Sequence, residues 1–99
     1  MKNIVLFCAA GLSTSMLVSK MREAAKAENF ECAISAHSIN ELSSKGADAD
    51  VIMLGPQVRY QKDKVISAYP DKPVVVIDMM LYGMMKGKEV LAEAKKAMQ

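Results

Sequence analysis

The sequence predicts an α/β protein built on a four-stranded, all-parallel open sheet. Two observations predict it: strand-like apolar runs alternate with segments of helical period, and 99 residues suffice for one domain with a buried core. Such alternation implies right-handed crossovers and helices on both faces of the sheet. We expect the strand order 2-1-3-4, a flavodoxin-like architecture, in a single domain over residues 1–99.

The elements can be placed in order along the chain. The strands are predicted at residues 4–7, 31–36, 51–54 and 73–77; the first and third are continuous apolar runs, as expected when both faces are covered. Apolar residues recur at helical spacing in three segments, which predict helices. The first begins at Ser15, the second covers residues 58–68 and the third lies near the C-terminus. Residues 38–41, Ser-Ile-Asn-Glu, match a capping box, so a short helix is expected there.

Composition excludes several classes of protein. The 13 basic and 11 acidic residues interleave to a net charge of +2, and only 3 Tyr and 2 Phe are present, which argues against nucleic-acid binding. No apolar run approaches the roughly 20 residues of a membrane span. The apolar N-terminus lacks a convincing cleavage pattern, so we expect an intracellular protein without membrane insertion. With 2 Cys and 1 His, a metal centre is not expected.

Chemistry is expected at Cys8, where the first strand ends. Ligands of open α/β sheets bind beyond the carboxyl ends of the strands. Small residues after Cys8 let backbone N–H groups turn toward an anion, and the next helix directs its dipole to the same place. A thiol there is expected to exist partly as thiolate and to act as a nucleophile that carries a phosphoryl group. The predicted phosphate-binding loop consists of Ala9, Ala10, Gly11, Leu12, Ser13, Thr14 and Ser15, whose three hydroxyls are further donors.

Other side chains fall at the same edge of the sheet. Asp78 ends the fourth strand and fits a helix or turn cap, and His37 fits a solvated loop residue better than a phosphate carrier. A cluster of methionines at positions 79, 80, 84 and 85 is interpreted mainly as core filling, although soft side chains also suit a surface that meets partners. The predicted rim or partner contacts are Gln57, Arg59, Tyr60, Asp78 and Tyr82.

Cys32 is predicted to be structural. It lies near the start of the second strand, whereas Cys8 ends the first, so in a parallel pair the two occupy opposite edges of the sheet. At about 3.3 Å per residue they are roughly 15–20 Å apart. A disulfide requires Cα atoms within about 7 Å, so none is expected.

The cysteine motif resembles a known family. Residues 6–21, LFCAAGLSTSMLVSKM, closely resemble the phosphate loop and first helix of the enzyme IIB component of the lactose/cellobiose-type sugar phosphotransferase system. DVIMLGPQV at residues 50–58, VID at 76–78 and LYG at 81–83 are similar to that family in the same order, so the resemblance covers nearly the whole chain. The loop sequence AAGLSTS is nearer the cellobiose/chitobiose branch than the lactose branch.

The resemblance implies a phosphoryl carrier. In this family a phosphohistidine of enzyme IIA gives its phosphoryl group to the IIB cysteine, and the phosphocysteine passes it to a sugar held by the membrane component IIC. By resemblance, Cys8 is the phosphorylated residue, residues 9–15 form its cradle, and a phosphorylated disaccharide is released inside the cell. The protein would act in the cytoplasm in association with the membrane permease, and neither a metal nor an organic cofactor is implied.

Two alternatives remain open. Small cysteine-dependent phosphatases share the layout of strand, cysteine loop and helix and use the pattern C-x5-R, but Thr14 stands here in place of the arginine. In that alternative Asp78 would be a general acid. A plain flavodoxin-like module would hold an anion in the loop without covalent chemistry. Labelling with a phosphorylated donor separates the three, because the carrier and the hydrolase form phosphocysteine and only the carrier keeps it.

Overall fold

The parallel sheet of the chain has the order predicted from the sequence. The computed structural model describes residues 1–9 and 11–99, and for residues 11–13 the backbone alone. The strands are arranged in the order β2-β1-β3-β4 and all pairs are parallel, which confirms the predicted flavodoxin-like sheet. They are β1 (Lys2–Cys8), β2 (Cys32–Ser38), β3 (Val51–Leu54) and β4 (Val74–Val76).

Helices cover both faces of the sheet. They are α1 (Gly11–Ala27), α2 (Leu42–Lys45), α3 (Lys62–Ala68), α4 (Met79–Gly83) and α5 (Gly87–Ala97), with 3-10 helices at Ile39–Glu41 and Pro56–Gln61. Successive β1 side chains point to opposite faces, so Ile4 and Leu6 pack with α1 and α5, whereas Val5 and Phe7 pack with α3 and the second 3-10 helix. This explains why the central strand reads as an uninterrupted apolar run.

Strand register fixes which residues meet at the carboxyl edge. Phe7 of β1 lies opposite His37 on one side and Leu54 on the other. Cys8, the next residue of β1, therefore lies between the end of β2 and Gly55, the residue that follows β3. The predicted switch point beside the first strand is the place where the cysteine sits.

Several element boundaries differ from the sequence prediction. Helix α1 begins at Gly11 rather than Ser15, because small polar residues carry no apolar period that would mark a first turn. The predicted helix over residues 58–68 starts as a 3-10 helix, with Pro56 at its first position, before α3. The capping box is confirmed: the Ser38 N–H donates to Glu41 Oε2 at 3.2 Å, and the Ser38 Oγ accepts from the Asn40 N–H at 3.2 Å.

Helix α5 packs very closely on α1. A Cβ built on Gly87 would lie 2.5 Å from the Lys20 carbonyl carbon and 2.7 Å from the Met21 nitrogen. Only a glycine allows the first turn of α5 to approach the α1 backbone in this way. Across the residues that the structure describes, no helix combines the length and apolar character needed to span a membrane.

Candidate active site

Cys8 is the last residue of β1, and its side chain is 1% exposed. By strand alternation it points to the same face of the sheet as Leu6, the face that α1 covers. Because α1 begins at Gly11, the backbone N–H groups of its first turn lack helical partners and the positive end of its dipole lies just after the cysteine. Cys8 therefore lies where the sequence predicts it, at a strand end that leads into a helix.

The extent of the predicted loop is corrected by the structure. Residues 11–15 belong to α1, so the connection from β1 is limited to residues 9–10. Ala10 and the side chains of Gly11, Leu12 and Ser13 lie outside the described residues. Ala9 and Ser15 are exposed. Phosphate binding by this segment stays a prediction. Many of its donors would be N–H groups of the first turn of α1, where a longer loop was expected.

Thr14 and Tyr82 form a buried hydroxyl pair. Thr14 Oγ1 lies 2.7 Å from Tyr82 Oη, and the two residues are 1% and 7% exposed. The pair joins the start of α1 to α4 across the top of the sheet. The sequence predicts the Thr14 hydroxyl as a phosphate donor and Tyr82 as a rim residue, whereas the burial of Tyr82 makes it chiefly an internal support. No local pattern pairs residues that are 68 positions apart.

Replacing Tyr82 by phenylalanine should lower the free energy of unfolding by about 1–2 kcal/mol, because the Thr14 hydroxyl then loses its partner inside the protein. Urea unfolding monitored by circular dichroism measures this. The matched control is Tyr60→Phe, because the Tyr60 side chain is 75% exposed and its variant should unfold like the parent protein. Equal stabilities of the two variants would contradict the assigned role of the hydroxyl pair.

Gly55 brings Gln57 close to Cys8. The Gly55 N–H donates to the Phe7 carbonyl at 2.9 Å, which ties the end of β3 to the end of β1. A Cβ built on Gly55 would lie 3.4 Å from Cys8 Cβ and 2.9 Å from Gln57 Oε1. Among the predicted rim residues, Gln57 is thus placed beside the cysteine, while Arg59 and Tyr60 are exposed farther along the 3-10 helix.

Asp78 caps a helix that the sequence analysis did not predict. Its Oδ2 accepts hydrogen bonds from the N–H groups of Met80 at 3.0 Å and Leu81 at 3.1 Å, which confirms the cap interpretation. The helix is α4, and the signal that could have revealed it is an Asp directly before an apolar segment. The carboxylate is therefore occupied by backbone groups, which disfavours a role as general acid.

The methionines after β4 form a surface and not a core. Met79, Met80 and Met84 are 65%, 70% and 61% exposed, so the interpretation as mainly core filling is wrong. The segment is too short for its apolar periodicity to distinguish the exposed face of α4 from the buried face. Next to them lies a largely apolar cleft of about 400 Å³ that is lined by Pro56, Gln57, Met79, Tyr82 and Gly83.

His37 lies at the carboxyl edge but on the other face of the sheet from Cys8. Its ring centroid is 6.2 Å from that of Phe7, and its Nε2 is 3.2 Å from Ser35 Oγ. Since Phe7 and Cys8 are consecutive strand residues, their side chains point to opposite faces. This placement gives no support to a phosphate relay between His37 and Cys8.

Cys32 lies at the far edge of the sheet, as predicted. It pairs in register with Lys2, whereas Cys8 pairs with Ser38, and neither cysteine is in a disulfide. Burial raises the pKa of the Cys32 thiol, and the positive charge of Lys95 offsets this only in part. Cys32 is therefore a weak nucleophile at neutral pH. Within residues 1–9 and 11–99, no group of three or more His, Cys, Asp or Glu side chains is arranged to hold a metal ion.

The chain is similar to known proteins over nearly its whole length. It matches the family model described as "PTS system, Lactose/Cellobiose specific IIB subunit" over residues 3–93. It is 44% identical over 104 residues to the PTS system galactose-specific EIIB component of Lactococcus lactis subsp. cremoris, covering 98% of this chain and 96% of the relative. The same identity and coverage relate it to the PTS system cellobiose-specific EIIB component of Lactococcus lactis subsp. lactis.

A solved structure is similar as well. The solution structure of the cellobiose-specific phosphotransferase IIB component from Borrelia burgdorferi superimposes with a TM-score of 0.81 at 37% sequence identity. The match covers 98% of this chain and 91% of that chain. The likeness therefore extends over the whole sheet and its helices and includes the end of the strand that carries Cys8.

Proposed function

This chain belongs to the lactose/cellobiose-specific IIB family of the sugar phosphotransferase system, and on that premise we propose that Cys8 is its phosphoryl carrier. As a IIB component the protein is a phosphotransferase that works with other components of that system. The observation that carries the proposal is the position of Cys8 at the end of β1, directly before the N-terminus of α1. A dianionic group on its sulfur would meet the N–H groups of the first helical turn, which have no partners within the helix.

The first transfer brings the phosphoryl group onto Cys8. The donor is a phosphohistidine of enzyme IIA. The Cys8 thiolate attacks phosphorus, the S–P bond forms as the N–P bond breaks, and the released imidazole nitrogen takes up a proton. The positive end of α1 favours the negative charge of the phosphoryl oxygens once they are on the sulfur.

The second transfer delivers the phosphoryl group to a sugar. A hydroxyl of a disaccharide held by the membrane component IIC attacks phosphorus, an O–P bond forms as the S–P bond breaks, and the Cys8 thiolate is regenerated. The hydroxyl proton passes to a base on the membrane component. We expect the sugar to be of the cellobiose/chitobiose class, although the galactose-specific and cellobiose-specific relatives are equally similar to this chain.

The surface around Cys8 suits transient partners. Three methionines of the α4 region are exposed, and one of them, Met79, lines the apolar cleft together with Gln57 and Tyr82. Flexible, polarisable side chains adapt to more than one partner surface. We propose that enzyme IIA and the membrane component dock here in turn, with residues 1–99 acting as one IIB domain at the cytoplasmic side of the membrane.

The site favours a stable phosphocysteine over hydrolysis. Phosphatases of the C-x5-R pattern need an arginine that stabilises charge on the phosphoryl oxygens, and Thr14 occupies that position here with its hydroxyl against Tyr82. Asp78, the candidate general acid, caps α4.

The protein should therefore not turn over p-nitrophenyl phosphate, because Thr14 stands in place of the arginine and Asp78 caps α4 instead of serving as an acid. Release of p-nitrophenol is followed by absorbance, with Cys8→Ser as the background. Steady multiple turnover that disappears in Cys8→Ser would overturn the carrier assignment in favour of the phosphatase alternative.

Mass spectrometry tests the carrier assignment directly. After incubation with phosphorylated enzyme IIA, the intact chain should gain one phosphoryl group, and peptide mapping should locate it on Cys8. Phosphate on His37 or Cys32, or none at all, would contradict the proposal. The absence of any covalent label together with tight binding of inorganic phosphate would favour the anion-binding module.

A further inference from the structure

We propose that Gln57 binds the phosphoryl group on Cys8 through its side-chain amide. The inference rests on the proposed phosphorylation of Cys8 and extends the site to a residue outside the segment that follows the cysteine. Gly55 brings Gln57 and Cys8 together in space.

The backbone at Gly55 is fixed beside Cys8. The Gly55 N–H donates to the Phe7 carbonyl at 2.9 Å, next to the peptide of Cys8. A Cβ built on Gly55 would lie 3.4 Å from Cys8 Cβ and 2.9 Å from Gln57 Oε1. Because the glycine has only hydrogens there, the Gln57 carboxamide oxygen and the Cys8 side chain both border the position that a Cβ on Gly55 would take.

The Gln57 carboxamide is available to a ligand on Cys8. The residue is exposed, and among the residues that the structure describes no group forms a hydrogen bond with its side chain. A carboxamide carries two donor hydrogens, and a half-turn about its terminal bond exchanges Oε1 and Nε2. A phosphoryl oxygen on Cys8 would accept from Nε2, and hydrogen bonds to a charged acceptor are the stronger kind.

A neutral donor fits a carrier. Gln57 neither supplies nor takes a proton while the S–P bond forms and the N–P bond of the donor breaks; it holds one phosphoryl oxygen of the product. It thereby stabilises phosphocysteine relative to the thiol without the charge of the arginine found in the phosphatase pattern. The site residues would then come from the ends of both β1 and β3.

The test is the equilibrium between phosphorylated enzyme IIA and phosphorylated Cys8, measured by intact mass at low protein concentrations. A contact that only docks the partner changes the forward and reverse rates alike, so it leaves this equilibrium constant unchanged. Loss of a hydrogen bond to the phosphoryl group should shift it toward phosphorylated IIA about tenfold in Gln57→Leu. Gln57→Glu should shift it further, because a carboxylate repels the dianion.

The chain offers a matched control and a second variant. Gln61→Glu makes the same chemical change in the same 3-10 helix, but Gln61 lines a cleft near Tyr69 and not the space beside Cys8, so its equilibrium constant should equal the wild-type value. Gly55→Ala keeps an allowed backbone conformation, with φ −62° and ψ 152°, and places a methyl group where Gln57 now reaches. It should shift the equilibrium in the wild type but not in Gln57→Leu, since the two act on one contact.

The outcomes separate this inference from the proposed function. If wild-type Cys8 is phosphorylated but Gln57→Leu and Gln57→Glu keep the wild-type equilibrium constant, Gln57 does not bind the phosphoryl group and the carrier assignment stands. Slower transfer in the Gln57 variants with an unchanged equilibrium constant would also overturn the inference, because it would make Gln57 a docking residue. If wild-type Cys8 takes up no phosphate, the proposed function fails and the inference fails with it.

Discussion

Cys8→Ser should lower phosphoryl transfer from enzyme IIA to sugar by at least about a thousandfold, because it removes the nucleophile itself. A serine hydroxyl stays protonated at neutral pH, and Asp78, the carboxylate at this edge of the sheet, is engaged in capping α4. Radiolabelled phosphate transferred to the protein and to the sugar measures both halves of the reaction.

The matched control is Cys32→Ser, which replaces the same residue type at the opposite edge of the sheet. The Cys32 thiol has a raised pKa from burial and lies in register with Lys2, far from the end of β1. We expect near wild-type transfer in this variant. Equal losses in both variants would mean that the effect reflects the fold and not the chemistry of Cys8.

Gly87→Ala should destabilise the fold by about 3 kcal/mol, since overpacking at a close backbone contact forces the helices apart. The new Cβ would lie 2.5 Å from the Lys20 carbonyl carbon and 2.6 Å from Lys20 Cβ, and a backbone atom cannot move aside as the end of a flexible side chain can. For a protein of this size the melting temperature should fall by roughly 15 °C, which differential scanning calorimetry measures.

Gly83→Ala is the matched control, and its effect on stability should be absent or of the opposite sign. A Cβ there would meet nothing within 4 Å, and alanine is the better helix former, so the variant should be as stable as the parent protein or slightly more stable. Helix propensity alone predicts stabilisation at both positions. A Gly87→Ala variant that melts at or above the parent temperature would therefore contradict the close packing of α5 on α1.

The sequence by itself determined the sheet and the position of the cysteine. The alternation of strand-like and helical periods is a local property, and the handedness of crossovers leaves few topologies for four parallel strands. The order β2-β1-β3-β4 followed from these, as did the placement of Cys8 and Cys32 at opposite edges. The capping box at Ser38 was predictable for the same reason, because its two hydrogen bonds lie within four consecutive residues.

The tertiary structure alone decided the surroundings of Cys8. Periodicity indicates that a residue is buried or exposed, but it does not identify the partner from a distant element. Three features depend on the positions of the segments that follow β3 and β4. They are the hydrogen bond between Thr14 and Tyr82, the approach of Gln57 to Cys8 over Gly55, and the exposure of the α4 methionines. These contacts are set by distances of a few ångströms between elements, which packing fixes and a one-dimensional pattern does not encode.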